Sequence, residues 1–188
     1  MLNLDFYYAD LPDNCFGRMY FKPAKADVYV NYPHVGETKL ENYDIRPGTI
    51  LISRKKYFLG NVGTQRLTIA HELMHWYLHK KYFMLLSLLD EEAENMSCEV
   101  EPSDYSEELT AAQKAHWFAE WQANALAFRV TMPDALFVRA MHEAKAAAHP
   151  YKALGFHVED ILQRVANLFD VPGYAVKQRA RQLGLGFG

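Results

Sequence analysis

The sequence predicts an α+β protein, with a small amino-terminal antiparallel or mixed sheet packed on a mainly helical core. Three observations lead there. Short β-branched and aromatic runs broken by Pro and Gly fill the first third of the chain. Segments with helical apolar spacing fill most of the remainder. Strands come first and helices after, without the alternation that βαβ units would require.

Arg18–Phe21, Val28–Tyr32 and Thr49–Arg54 read as strands, separated by Pro23, Pro33, Gly36 and the Pro47–Gly48 turn. Asn61–Thr64 then supplies Gly and capping residues before a helix expected over Gln65–Lys80. Within it Leu67, Ala70, Leu73, Met74 and Leu78 recur at helical spacing. Tyr82–Leu89 is apolar and fits either a helix or a strand. A second helix is expected over Thr110–Val130, stopping near Met132–Pro133, and a third over Pro133–Ala147, ending before His149–Pro150. Two more follow over Val158–Phe169 and Gly173–Leu183, with Gly184 placed to cap the last. The chain is read as a single domain, 1–188, with a strand-rich part (1–64) and a helical part (65–188) carrying an insertion at about 82–111.

Composition excludes several classes. With 12 Tyr, 11 Phe and 3 Trp and half its residues hydrophobic, the chain can fill a core and does not read as disordered. A net charge of −3 leaves no electrostatic footprint for nucleic acid. The stretch Asp90–Glu108 holds nine acidic residues and no Lys or Arg, so the rest of the chain stands at +6; a solvated loop is its plainest reading. Two cysteines, Cys15 and Cys98, make no disulfide framework and have no CxxC spacing, which disfavours a structural zinc domain. Neither a secretory signal nor a run of about 20 apolar residues is found, so the expected location is cytoplasmic, away from membranes.

The first predicted helix contains His71-Glu72-Leu73-Met74-His75. Four residues advance a helix by about 400°, which puts both imidazoles on one face with Cβ atoms about 5–6 Å apart. Both rings can then reach one tetrahedral Zn2+ at about 2.0–2.1 Å. Glu72 sits beside the pair, placed to act as a general base and not as a ligand. The plainer alternative is a helix carrying two solvated or core-satisfied histidines, but the flanking apolar residues are expected to pack the helix and leave the histidines facing a cleft. A catalytic zinc also needs a third protein ligand and one open position. His116 and Glu120, four residues apart on the second helix, both qualify by spacing. Glu120 is favoured because a carboxylate lowers the site's charge. In addition, Asn124 follows one turn later, where its amide oxygen can accept the Nδ1–H of a ligating histidine. His79 continues the histidine stripe but lies about 12 Å along the axis from His71, too far to share that ion.

The run Arg66-Leu67-Thr68-Ile69-Ala70-His71-Glu72-Leu73-Met74-His75-Trp76-Tyr77-Leu78-His79 closely resembles the ImmA/IrrE family of metallopeptidases. Glu120-Trp121-Gln122-Ala123-Asn124-Ala125-Leu126-Ala127 followed by Met132-Pro133 resembles that family's second conserved segment, whose zinc ligand matches Glu120. The tail from Ala166 to Leu185 is similar to its closing helix pair. Met74 stands where Gly is common, Pro172 where a Ser or Thr cap is usual, and the 82–111 insertion is extra; none of these removes a ligand or the base. The resemblance implies a zincin-like helical core and a zinc endopeptidase of the bacterial cytoplasm, performing limited, site-specific proteolysis. The implied substrate is a helix-turn-helix transcriptional repressor, here a separate chain, with no direct nucleic acid binding by the peptidase itself. An extended substrate segment is expected to add to a strand edge at Thr49–Arg54. The alternative is a proteolytically idle metal-binding protein that sequesters a repressor or other partner.

Overall fold

The computed structural model describes residues 4–32, 37–59, 62–89, 95–99, 109–148 and 158–186. Among these, strands β1 (Asp5–Ala9), β2 (Cys15–Tyr20), β3 (Ala24–Tyr32), β4 (Glu37–Ile45), β5 (Thr49–Ser53) and β6 (Asn95–Glu99) form one sheet in the order β4-β3-β1-β5-β2-β6. Helices α1 (Arg54–Leu59) and α2 (Val62–Met74) follow β5. A π-helical turn, His75–His79, joins α2 to α3 (Lys80–Leu89). After β6 come α4 (Ala111–Thr131), α5 (Asp134–Ala148), α6 (Val158–Phe169) and α7 (Gly173–Gln182). The expected α+β class, a small mixed sheet against a largely helical part, is what the chain adopts.

The sheet is mixed because β1 runs parallel to β5, Asp5 opposite Thr49 through Ala9 opposite Ser53, whereas every other pairing is antiparallel. All five residues of β5 are buried, as befits a strand covered on both faces. Its period-2 alternation divides two clusters. Ile50 and Ile52 join Met19, Phe21, Phe83 and Ala119 on the helical side, while Leu51 joins Ala9, Tyr20, Val28 and Ile45 on the other. β4 is exposed along nearly its whole length and carries Glu37, Lys39, Glu41 and Asp44, the charged surface that keeps a terminal strand from pairing further.

The structure corrects or completes the sequence reading at four places. The strand expected over Thr49–Arg54 ends at Ser53, and it is no edge: β1 and β2 hydrogen-bond to its two sides, so no substrate can add there. Its Ile50-Leu51-Ile52 core, apolar on both faces, was the signature of a central strand. Tyr82–Leu89 is resolved as helix, continuing the helical stripe beyond Lys80. The acidic stretch is not all loop, since Asn95–Glu99 forms β6 on the edge of β2. Strands β1 and β4 and helix α1 were not anticipated. Pro33, Gly36, Asn61 and His149–Pro150 lie outside the described residues.

α2 is packed on two sides. Leu67 and Ala70 enter a helical cluster with Phe128, Met132, Phe137, Val165 and Val176, while Ile69 and Leu73, joined by Trp76 of the π turn, pack on the sheet. The start of α4 is set by a capping box, in which Gln113 N–H donates to Thr110 Oγ1 at 3.2 Å and Thr110 N–H donates to Gln113 Oε1 at 2.9 Å. Buried Arg179 ties α7 to the α4–α5 elbow, its Nε–H donating to Met132 O at 3.0 Å and its Nη2–H to Asp134. Asp170, at φ 50°, takes the left-handed position that ends α6, and Val171 N–H reaches back to Ala166 O at 3.0 Å.

That α6–α7 turn presses on the first turn of α2. A Cβ on Gly63 would lie 2.3 Å from Asp170 O and 2.7 Å from Val171 Cα, both backbone atoms that cannot swing aside. Gly63→Ala sets a helix-propensity gain of at most about 1 kcal/mol against an overpacking cost of about 1–3 kcal/mol. The clash is expected to win, lowering the urea midpoint; a midpoint at or above that of the unchanged protein would show the contact to be yielding.

Candidate metal centre

The candidate ligands come from the α2–π segment and from α4. On α4, Ala119, Ala123 and Ala127 recur every four residues and are all buried, and this small-residue face lets α4 lie close against the histidine face of α2. Glu120 follows Ala119 and is thereby carried to His71 and His75. His71 Nε2 lies 3.2 Å from Glu120 Oε2, and His75 Nε2 lies 3.3 Å from Glu120 Oε1. The two Nε2 atoms are 2.8 Å apart. Four donors held at about 2.0–2.1 Å by a tetrahedral ion lie about 3.3–3.4 Å from one another. Each imidazole already stands at that spacing from one carboxylate oxygen, Oε2 for His71 and Oε1 for His75, and one ligand atom from each of the three residues lies within 4.8 Å of the others. Among the described residues, His71, His75 and Glu120 form the one such group of potential ligands.

The fit extends behind the ligands. Asn124, one turn along α4 from Glu120, places Oδ1 3.0 Å from His71 Nδ1, so that Nδ1–H donates to it and Nε2 is left as a lone pair facing the triangle. His116 is exposed on α4 and does not enter the cluster. The site is not the open cleft expected from sequence: His71 is 2 % exposed and Glu72 and His75 are 0 % exposed. The reason is the closeness of α4, which covers the face that the apolar residues of α2 leave free.

Glu72 lies on the sheet side of the site. A Cβ on Gly17 of β2 would meet Glu72 Oε1 at 2.9 Å and Thr68 Cγ2 at 2.6 Å, so only glycine lets β2 pass this close to the carboxylate. Both oxygens of Glu72 are buried without a full hydrogen bond, with the Met19 backbone approaching them from β2, and Glu120 Oε1 is buried with His75 Nε2 at 3.3 Å. Unpaired buried carboxylate oxygens are costly and call for a cation or a proton. Burial pushes the Glu72 carboxyl up to about 8, with His71 opposing the shift. Burial likewise pushes the His75 imidazole down to about 4, keeping it in the neutral form that binds metal. For Glu120 burial acts upward, but hydrogen bonds from His71 and His75, where their Nε2 atoms carry protons in the absence of an ion, outweigh it and hold the carboxyl at about 2. A nearby dication would draw Glu72 back toward its ionised form.

Sequence reasoning set His79 aside, and the structure gives it a place. It is buried, with Nδ1 3.1 Å from His75 Nδ1 and Nε2 3.0 Å from Gln122 Oε1. The signal was the i, i+4 spacing from His75, which is too far for His79 to share the ion with His71 but close enough to touch His75. Gly17 carried no sequence signal at all, because only the packing of β2 on α2 reveals its role.

No family model, curated protein or solved structure matches the chain. No helix among the described residues is long and apolar enough to cross a membrane. What the fold and geometry define is a mixed sheet and helical body that brings a His-Glu-x-x-His segment and a glutamate into one buried cluster able to hold a metal ion.

Zinc at a hundredfold excess over its Kd is expected to stabilise the protein by about 2.7 kcal/mol, a rise in Tm of roughly 5–10 °C for a chain of this length. Calorimetry with and without zinc checks this. Glu120→Ala should abolish the rise, and His116→Ala should leave it intact; the opposite pattern would make His116 the ligand.

Proposed function

We propose that this protein is a zinc-dependent endopeptidase in which His71, His75 and Glu120 hold the ion and Glu72 is the general base. The observation that carries the reading is the combination of three convergent ligands with a second buried carboxylate, Glu72, beside them. A protein that only holds a metal needs the three ligands, and it would gain stability by replacing the buried Glu72 with an apolar residue. Retaining it is explained by a proton-transfer role.

When bound, zinc supplies Lewis acidity that polarises a carbonyl and lowers the pKa of water at the site. A carboxylate oxygen of Glu72 takes the proton of the attacking water and returns it to the leaving amine nitrogen. Gly17 keeps the β2 backbone close against Glu72, fixing the direction in which that carboxylate points. β6, hydrogen-bonded to β2 on one side and the terminal strand of the sheet, offers the edge nearest Glu72 for an extended peptide.

Limited cleavage of one partner fits this site better than general digestion. With Glu72 and His75 fully buried, a peptide reaches them only if the surrounding segments part, and contacts with a cognate protein can drive that opening. The likeness of Arg66–His79 and Glu120–Pro133 to the ImmA/IrrE peptidases supports a transcriptional repressor as that partner. The competing reading, a metal-holding protein that sequesters its partner without cutting it, keeps the ligands but assigns Glu72 no task.

Glu72→Gln separates the two. It should keep zinc at one equivalent per chain and lower the rate of cleavage of a cognate repressor by at least about a thousandfold, as followed by mass spectrometry of the fragments. Cleavage at an unchanged rate would remove Glu72 from the reaction, and an intact partner bound stoichiometrically by the zinc-loaded, unchanged protein would favour sequestration.

A further inference from the structure

The ligating histidines differ in what stands behind them. His71 donates its rear N–H to the amide oxygen of Asn124, an acceptor whichever way the ring's protons are shared. Behind His75 stands another imidazole. The rings of His75 and His79 lie 5.3 Å apart between centroids, and their Nδ1 atoms are 3.1 Å apart, so one of the two must carry the proton and the other must accept it. On its far side His79 Nε2 meets Gln122 Oε1 at 3.0 Å.

Only two proton arrangements of neutral rings satisfy these contacts. In one, His75 Nδ1–H donates to His79 Nδ1 and His79 Nε2–H donates to Gln122 Oε1, leaving His75 Nε2 as a bare lone pair facing Glu120 and His71. In the other, every proton is reversed: the Gln122 amide turns over, His79 Nδ1–H donates to His75, and His75 carries its proton on Nε2, where it blocks the ion. The first is the one that admits an ion: it alone leaves Nε2 of His75 bare opposite Nε2 of His71, 2.8 Å away, and it is the one that Gln122 favours with Oε1 toward His79. We propose that His79 is a positioning residue of the metal centre. Held by Gln122, it accepts the Nδ1–H of His75 and so selects the tautomer that presents Nε2 to the ion.

The backbone supports this assignment. In an α-helix four residues overshoot a full revolution by about 40°, which would carry His79 off the axis of the His71–His75 pair. The π-helical turn over His75–His79 is underwound, so His79 comes back over His75. Phe83, edge-on to both rings at centroid distances of 6.4 and 6.2 Å, closes the remaining side. A π turn otherwise weakens a helix, and here it aligns three successive imidazoles. A neutral imidazole nitrogen is also a stronger acceptor than an amide oxygen, so this contact raises the basicity of His75 as a ligand.

The inference rests on the metal reading but not on proteolysis, and zinc affinity measured by chelator competition tests it without any substrate. His79→Phe keeps the ring's bulk and removes the acceptor, and its zinc affinity should fall 10–100-fold. His79→Asn places an amide oxygen near the position of Nδ1 and should stay within about threefold of the unchanged protein. Equal affinities for all three proteins, or an equal loss in both variants, would overturn the assignment. Nitrogen-15 spectra of the histidine rings in the unaltered zinc-loaded protein give an answer that needs no variant to fold. His79 protonated at Nε2 and bare at Nδ1 is expected, and the reverse tautomer would overturn the proposal. Failure of the unaltered protein to bind zinc at all would sink the metal reading first, and the role of His79 with it.

Discussion

Two imidazole nitrogens 2.8 Å apart, with a buried carboxylate within 3.3 Å of each, form the constraint on which the rest of the structure depends. Three lone-pair donors turned inward repel one another unless a cation or protons lie among them. Taking an ionised carboxylate out of water costs several kcal/mol, against a net folding stability of about 5–15 kcal/mol for a typical protein. A chain that buries Glu120 ionised, with Glu72 beside it either protonated or facing a cation, must recover that cost elsewhere. An ion bound to the folded state alone returns part of it through mass action.

The remainder comes from the way α2 is held. One flank lies in the helical cluster through Leu67 and Ala70, the other on the sheet through Ile69 and Leu73, joined by Trp76 of the π turn. Burying a large apolar side chain contributes about 1.5–3 kcal/mol, so the two clusters together can carry several strained polar groups. They also fix the helix in position and rotation. A ligand set built on a helix clamped from both sides keeps its geometry within the narrow tolerance that metal chemistry needs. Close approaches on both sides depend on small residues: Gly63 under the α6–α7 turn, Gly17 beside Glu72, and the alanines of α4.

Much of the candidate site was legible in the sequence because its parts are local. The spacing of His71 and His75 and their placement on one helical face follow from helix geometry, as does the shared face of Glu120 and Asn124, and the start of α4 near Thr110 follows from its apolar spacing. The α+β class was also legible, since strand-like and helix-like periodicities occupy different stretches of the chain. Less of the sheet was. β1 and β4 have weak alternation, β6 lies inside an acidic stretch that suggests solvent, and the parallel pairing of β1 with β5 joins segments some 44 residues apart.

The sequence by itself determined which side chains project together from each helix, because a fixed rotation per residue converts spacing into direction. Only the tertiary structure decided which faces meet. It brought Glu120 to the histidines and left His116 in solvent, turned an anticipated cleft into a buried cluster, and placed β5 at the centre of the sheet. It also gave His79 a partner through one underwound turn. Each of these depends on what packs against an element, and the free energy of that packing is shared among residues far apart in the chain, where no local pattern records it.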